Sequence, residues 1–358
     1  MQPSIATLLS EMARKNASDL HLGVGFPPAF RLDGQLHFAT HVAPLTVEDI
    51  WRFAGELLSR VQIDHLKETK ELDFSFSFDA PVEPVRFRGN CYFERGNVTI
   101  ALRLITSSIR SLKQLQLPEC LEDMTRRLRG LFLVTGPTGS GKSTTLAAMV
   151  QQINMTRRCH IVTIEDPIEY LFVSERAMIH QREVGTDTES FGEALRRALR
   201  QDPDVILIGE LRDLETMAAA VTAAETGHLV LATLHTPDTA QTVDRIIDVF
   251  PPHQQQQVRL QVSNALVGVC SQQLIALPGG GRMAATEILL ANPAVRNCIR
   301  EGKTGQLKSI LQTSAALGMH SMDQDLARLV REGRLLLEQA MSHAYEPKDL
   351  ERLVFDAM

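Results

Sequence analysis

Long apolar runs are missing from this chain of 358 residues: no stretch approaches the 18 or more that a membrane-spanning helix needs, so direct membrane insertion is not expected. A cysteine framework is missing too. Cys91, Cys120, Cys159, Cys270 and Cys298 are scattered with no C-x-x-C pair, so neither a disulfide scaffold nor a zinc cluster is indicated. Positive charge is not in excess. With 37 basic and 43 acidic side chains the net charge is -6, and no global field draws the chain to nucleic acid or anionic lipid, although local basic patches remain open. The opening MQPSIATLLSEMARKN breaks its short apolar stretch at Glu11 and runs on into Arg14 and Lys15, unlike the apolar core of a signal peptide. A cytoplasmic location is expected.

What is present is the balance of a folded protein, with 44% hydrophobic and 22% charged residues. Single cores stop growing at roughly 250 to 300 residues, so two domains are expected. Residues 1 to 105 read as a mixed α/β module. Ile5, Leu8, Leu9 and Met12 share one helical face, Ala29 to Phe38 reads as two short strands around an Asp33-Gly34 turn, and Leu72 to Phe78 alternates with period two. Val85 to Phe93 and Asn97 to Ile105 continue that alternation around Arg95-Gly96, so these strands are expected in one sheet. The polar stretch 106–111 breaks the pattern and is read as a linker. The second domain is assigned to residues 112–358.

In that domain Leu131 to Thr135 is a continuous apolar strand, buried on both faces as in a parallel sheet, followed by glycines and a helix through Met149. Further strands are predicted at His160 to Ile164, Val205 to Ile208 and Leu229 to Leu234, with helices at Phe191 to Arg200 and Leu214 to Thr226. The alternation predicts an α/β core.

Gly136-Pro137-Thr138-Gly139-Ser140-Gly141-Lys142-Ser143 has the Walker A spacing between an apolar strand and a helix, with Thr144 following. Glycines let the backbone N–H groups turn inward around phosphate, and the helix N-terminus adds partial positive charge. Lys142 is expected on the β and γ phosphates of ATP, and the Ser143 hydroxyl on Mg²⁺. Val205-Ile-Leu-Ile-Gly-Glu210 has Walker B geometry with a carboxylate at the strand tip. Glu210 polarises the attacking water directly or through the magnesium shell, and the sequence does not choose between these roles.

Ile164-Glu165-Asp-Pro-Ile-Glu-Tyr170 resembles the Asp box, and Gly227-His228-Leu-Val-Leu-Ala-Thr-Leu-His235-Thr236 the His box, of the type II/IV secretion ATPases. All four motifs occur in family order. Within that superfamily Ala17-Ser-Asp-Leu-His-Leu22 and Pro293-Ala-Val-Arg-Asn-Cys-Ile-Arg-Glu301 are most similar to the type IV pilus retraction ATPases.

The resemblance implies an N-terminal PAS-like mixed α/β domain, a RecA-like P-loop ATPase domain and a C-terminal helical region. It further implies a homohexamer that hydrolyses ATP to drive twitching motility at the inner face of the bacterial inner membrane. Its partners would be an inner-membrane pilus platform protein and, in some systems, a second retraction ATPase, with no nucleic acid. Glu165, Glu210, His228 and His235 take the acidic and His-box positions, with Ser143, Glu165 and Glu210 around a magnesium held through nucleotide and water.

Taken singly, each histidine reads as a strand-end residue in a hydrogen bond. Arginines of two N-domain strands, Arg88 and Arg103, are implied as phosphate-neutralising residues, although they also read as solvated. Here the sequence departs from the family pattern: Gly89 stands where valine is more usual, and Leu102-Arg-Leu-Ile105 replaces a Phe-Arg-Thr run. Val295, Cys298 and Ile299 share a helical face, and for Arg296 and Arg300, which point elsewhere, the resemblance implies a part in coupling hydrolysis to retraction. Three other readings stay open: an accessory retraction, pilus-extension or type II secretion ATPase, a RecA-like nucleic-acid translocase, and a nucleotide-binding regulator without turnover.

Overall fold

Ile5, Leu8, Leu9 and Met12 lie on one side of helix α1 (Ile5–Lys15), and all four are buried. The computed structural model describes residues 4–355 apart from 16, 33, 80–83, 106, 107 and 279. After α1 come β1 (Asp19–Leu22), β2 (Ala29–Leu32), β3 (Gln35–Phe38), α2 (Val47–Leu57), α3 (Arg60–Thr69), β4 (Glu71–Asp79), β5 (Pro84–Glu94) and β6 (Asn97–Ile105). The strands form one sheet in the order β3-β2-β1-β6-β5-β4, antiparallel throughout. The expected β2–β3 hairpin is present; of its turn, Asp33 lies outside the described residues and Gly34 has φ 82°.

Three elements of this sheet-and-helix unit were not anticipated from the sequence: β1, α2 and α3. Both helices carry a legible start. Thr46 accepts from Asp49 N at 3.2 Å while Asp49 Oδ2 accepts from Thr46 N at 3.0 Å, and Ser59 and Gln62 repeat the reciprocal pattern. β1 is only four residues long and is held between β2 and β6, so pairing rather than local pattern makes it a strand.

Packing divides the chain into Met1–Ser108 with Glu169–Leu171, and Ile109–Ile168 with Phe172–Met358. Of the linker read at 106–111, residues 106 and 107 lie outside the described residues. The second unit begins with α4 (Cys120–Thr125), β7 (Gly130–Thr135), α5 (Lys142–Thr156), β8 (His160–Glu165), β9 (Met178–Glu183), α6 (Phe191–Ala198) and β10 (Val205–Ile208). It continues with α7 (Leu214–Glu225), β11 (Leu229–Leu234), α8 (Thr239–Asp248), α9 (Pro252–Ala265), β12 (Leu266–Ala276) and β13 (Arg282–Leu290). Helices α10 (Pro293–Glu301), α11 (Leu307–Thr313), α12 (Met322–Arg331), α13 (Leu337–His343) and α14 (Pro347–Phe355) complete it.

Its sheet runs β13-β12-β7-β11-β10-β8-β9. Six strands are parallel and β13 returns antiparallel to β12, so the core is mixed at one edge. Every residue of β7, β10 and β11 is buried, as their unbroken apolar runs require. Glu287 on β13 accepts from Thr239 N at 2.9 Å and from Met322 N at 3.3 Å, which ties the first turns of α8 and α12 to the sheet. Among the described residues no helix is long and apolar enough to cross a membrane.

Candidate nucleotide site

Parallel pairing sets the carboxyl ends of four strands side by side. Thr135 is in register with Leu234, and Ile208 with both Ala232 and Ile164, so the residues that follow converge on one edge of the sheet. Ligands of open α/β sheets bind at that edge. The loop after β7, Glu165 at the tip of β8, Glu210 after β10 and His235 after β11 all stand there.

The loop closes tightly enough to demand glycine. A Cβ on Gly136 would lie 2.2 Å from the Gln272 carbonyl oxygen, and Gly141, at φ 89°, would bring one within 2.8 Å of Gln272 Nε2. Pro137, Thr138 and Gly139 are exposed, whereas Ser143 and Thr144 are half-buried in the first turn of α5. Lys142 is buried, and its Nζ donates to Gly136 O at 3.0 Å and Pro137 O at 3.1 Å, so the ammonium is folded back across the loop. Ser140 Oγ is buried without a hydrogen-bond partner. An orphaned hydroxyl beside a helix N-terminus and a lysine fits a phosphate group, which supplies acceptor oxygens and negative charge.

Glu165 is buried and accepts from Thr163 Oγ1 at 2.6 Å and Gln181 Nε2 at 3.2 Å. Glu210 meets Arg212 Nη2 at 2.8 Å and His235 Nε2 at 3.4 Å. Burial pushes the Glu210 carboxyl up, but the hydrogen bond from Arg212 and the charges of His235, Arg212 and Lys142 outweigh it and hold it below the usual range. Thr233 Oγ1 donates to Gly209 O at 2.5 Å, fixing the strand exit that aims Glu210.

One expected site residue is not brought to this edge. His228 precedes β11, its carbonyl accepting from Gly130 N at the start of β7, and so stands at the opposite end of the sheet, roughly 20 Å away at about 3.3 Å per residue. Its Nδ1 pairs with Ala223 O at 2.9 Å, closing the end of α7. The strand-end reading describes it.

Arg88 and Arg103 belong to the other unit and are cross-strand partners on β5 and β6. Arg88 is exposed. Arg103 is engaged by Asp19 at 2.8 Å; burial pushes Asp19 up, yet hydrogen bonds from Arg103 and Ser18 hold its carboxyl below the usual range. Gly89 is explained by its neighbour, because a Cβ there would come within 2.2 Å of the Phe74 ring.

Sequence reasoning missed two residues at the site. Arg212, two residues beyond the Walker B carboxylate, was given no role, and Gln272 had no local signal at all, since it reaches the loop only through sheet order. Gln272 Nε2 donates to Ser140 O at 2.6 Å and its Oε1 accepts from Thr145 Oγ1 at 2.8 Å.

Residues 1–308 match the family model described as Type II/IV secretion system protein. The chain is 45% identical over 345 residues to the type IV pilus retractation ATPase PilT of Pseudomonas aeruginosa, covering 96% of this chain and 99% of that one. It is 40% identical to the type IV pilus ATPase PilU of the same organism, covering 97% and 90%. A crystal structure of the pilus retraction motor PilT with bound ADP superposes with a TM-score of 0.91 at 47% identity, covering 98% and 100%. The expected architecture, a PAS-like mixed unit followed by a RecA-like ATPase unit with C-terminal helices, is the one this chain adopts. Phosphate loop, acidic strand tips and full-length similarity agree, and the chain belongs to the type II/IV secretion system protein family.

Proposed function

We propose that this chain is an ATP-hydrolysing motor that powers retraction of a type IV pilus. One observation carries the reading: Lys142, Glu165, Glu210 and His235 stand at one edge of the sheet in a chain similar over its whole length to a retraction ATPase. The loop N–H groups and Lys142 bind the phosphates. Glu210, kept ionised at neutral pH, accepts a hydrogen bond from the attacking water and orients it, while His235 holds Glu210 and responds to the γ-phosphate.

Among the described residues no group of three or more His, Cys, Asp or Glu side chains converges to hold a metal. Ser143, Glu165 and Glu210 are the residues that would hold a magnesium ion, through nucleotide and water, and when bound it would neutralise phosphate charge. Of the two arginines Arg103 is engaged by Asp19, whereas Arg88 has no acidic partner among the described residues, so Arg88 is the one proposed to neutralise charge in phosphoryl transfer. The proposed working form is a homohexamer at the cytoplasmic face of the inner membrane, engaged with a pilus platform protein.

A Lys142→Ala strain tests the reading. Abundant surface pili that fail to shorten support it, and absent pili contradict it. A second reading is an accessory motor beside a separate retraction ATPase, since the chain is similar to two type IV pilus ATPases of one organism, PilT and PilU. Shortening restored by this chain as the sole candidate motor would set that reading aside.

A further inference from the structure

Strand β12 lies beside β7 with Ser271 in register with Thr135, the last residue before the phosphate loop. The next residue, Gln272, is therefore level with the loop itself. Its side chain is buried, at 2% exposure, and both ends of its amide are used. Nε2 donates to Ser140 O in the loop, and Oε1 accepts from Thr145 Oγ1 in the first turn of α5. Its backbone carbonyl presses on Gly136, where the loop begins. One residue thus touches the entry, the far limb and the helix that follows.

We propose that Gln272 is a positioning residue that holds the phosphate loop in its binding-competent shape, a role that rests on the nucleotide reading of this site. The loop needs such support. Its tip residues Pro137, Thr138 and Gly139 are exposed, and glycine-rich backbone has many alternative conformations to lose. Gln272 selects one. The primary amide is suited to this because it donates and accepts at once: a carboxylate cannot donate to Ser140 O, a thioether makes neither bond well, and asparagine is one methylene too short to span both partners.

The neighbours of Gln272 extend the brace to the C-terminal helices. Alternation along β12 turns Ser271 and Gln273 to the opposite face. Ser271 Oγ donates to Pro237 O at 2.5 Å, a carbonyl that also accepts from Tyr345 Oη, and Gln273 Oε1 pairs with His343 Nδ1 at 2.9 Å. Pro237 follows His235 by two residues. The same strand therefore steadies the phosphate loop on one face and, on the other, the segment that carries His235.

A loop that is competent only part of the time weakens binding by that fraction, while bound phosphate re-imposes the shape. Loss of the brace should then act on affinity more than on turnover. Wild type, Gln272→Met, Gln272→Glu and Thr145→Val are compared by titration with Mg-ADP, by steady-state ATP hydrolysis and by thermal unfolding. Gln272→Met should raise the Kd for ADP and the KM for ATP about tenfold, with kcat within about twofold, as expected for two lost hydrogen bonds. Thr145→Val removes one bond and should give a smaller shift.

Gln272→Glu supplies the readout that a purely structural role would not move. Protonated, the introduced carboxyl regains the donor to Ser140 O, so its KM relative to wild type should fall back as the pH is lowered. A KM within twofold of wild type in both Gln272 variants, or a pH-independent ratio accompanied only by lower thermal stability, overturns the proposal. Lys142→Ala serves as the control. If it abolishes ADP binding while the Gln272 variants bind normally, the brace fails and the nucleotide site stands. If the wild type binds neither nucleotide, the site reading itself has failed.

Discussion

Glu210 lies between a guanidinium and an imidazole, and its titration follows from which neighbour dominates. Because its folded pKa is depressed, its interactions stabilise the folded chain above the ordinary carboxylate range and are lost as pH falls through the folded value. Arg212 responds in kind, its own pKa raised by Glu210. Arg212→Ala removes the largest lowering influence, so the acid limb of a kcat against pH profile should move to higher pH. An unmoved limb would detach Glu210 from the rate. Gly136, Gly141, Lys142 and Glu210 were legible as residues because phosphate chemistry dictates type and spacing together. His228 was grouped with the site by its motif alone, although the six buried residues of β11 separate it from His235 and put the two histidines at opposite ends of that strand.

Helix α10 shows how an element can divide its residues between packing and function. Val295, Cys298 and Ile299 are buried as helical spacing requires. Arg296, however, is half-buried and donates to Ser263 O and, at 2.8 Å, Asn264 O, capping the end of α9. It is a structural tie, and Arg300 is the exposed arginine of the pair. Arg296→Ala should lower thermal stability by about 1 kcal/mol, whereas Arg300→Ala should leave both unfolding and ATP turnover near wild type and stop retraction. Normal twitching in the Arg300→Ala strain would remove it from coupling. The N-terminal strands tell a similar story: alternation made β4 to β6 legible, but the match of Gly89 to the Phe74 ring is a cross-strand complement that no single strand contains.

For the whole molecule, the proposed role of Arg88 makes the first unit a contributor to chemistry carried by the second. In the full chain, Arg88→Ala should lower kcat at least tenfold with ADP affinity changed only a few-fold, since a charge-neutralising arginine acts chiefly in the transition state. Unchanged kcat would leave Arg88 a solvated strand residue. By itself the sequence determined the unbroken apolar strands, the phosphate loop and the acidic strand tips, because each depends on residues adjacent in the chain or on a fixed short spacing. Tertiary structure alone decided what depends on strand order. It set β12 beside β7 and brought Gln272 within reach of a loop more than a hundred residues earlier. Neighbours in a parallel sheet are distant in sequence, and side chains that meet across it leave no periodic trace in either strand.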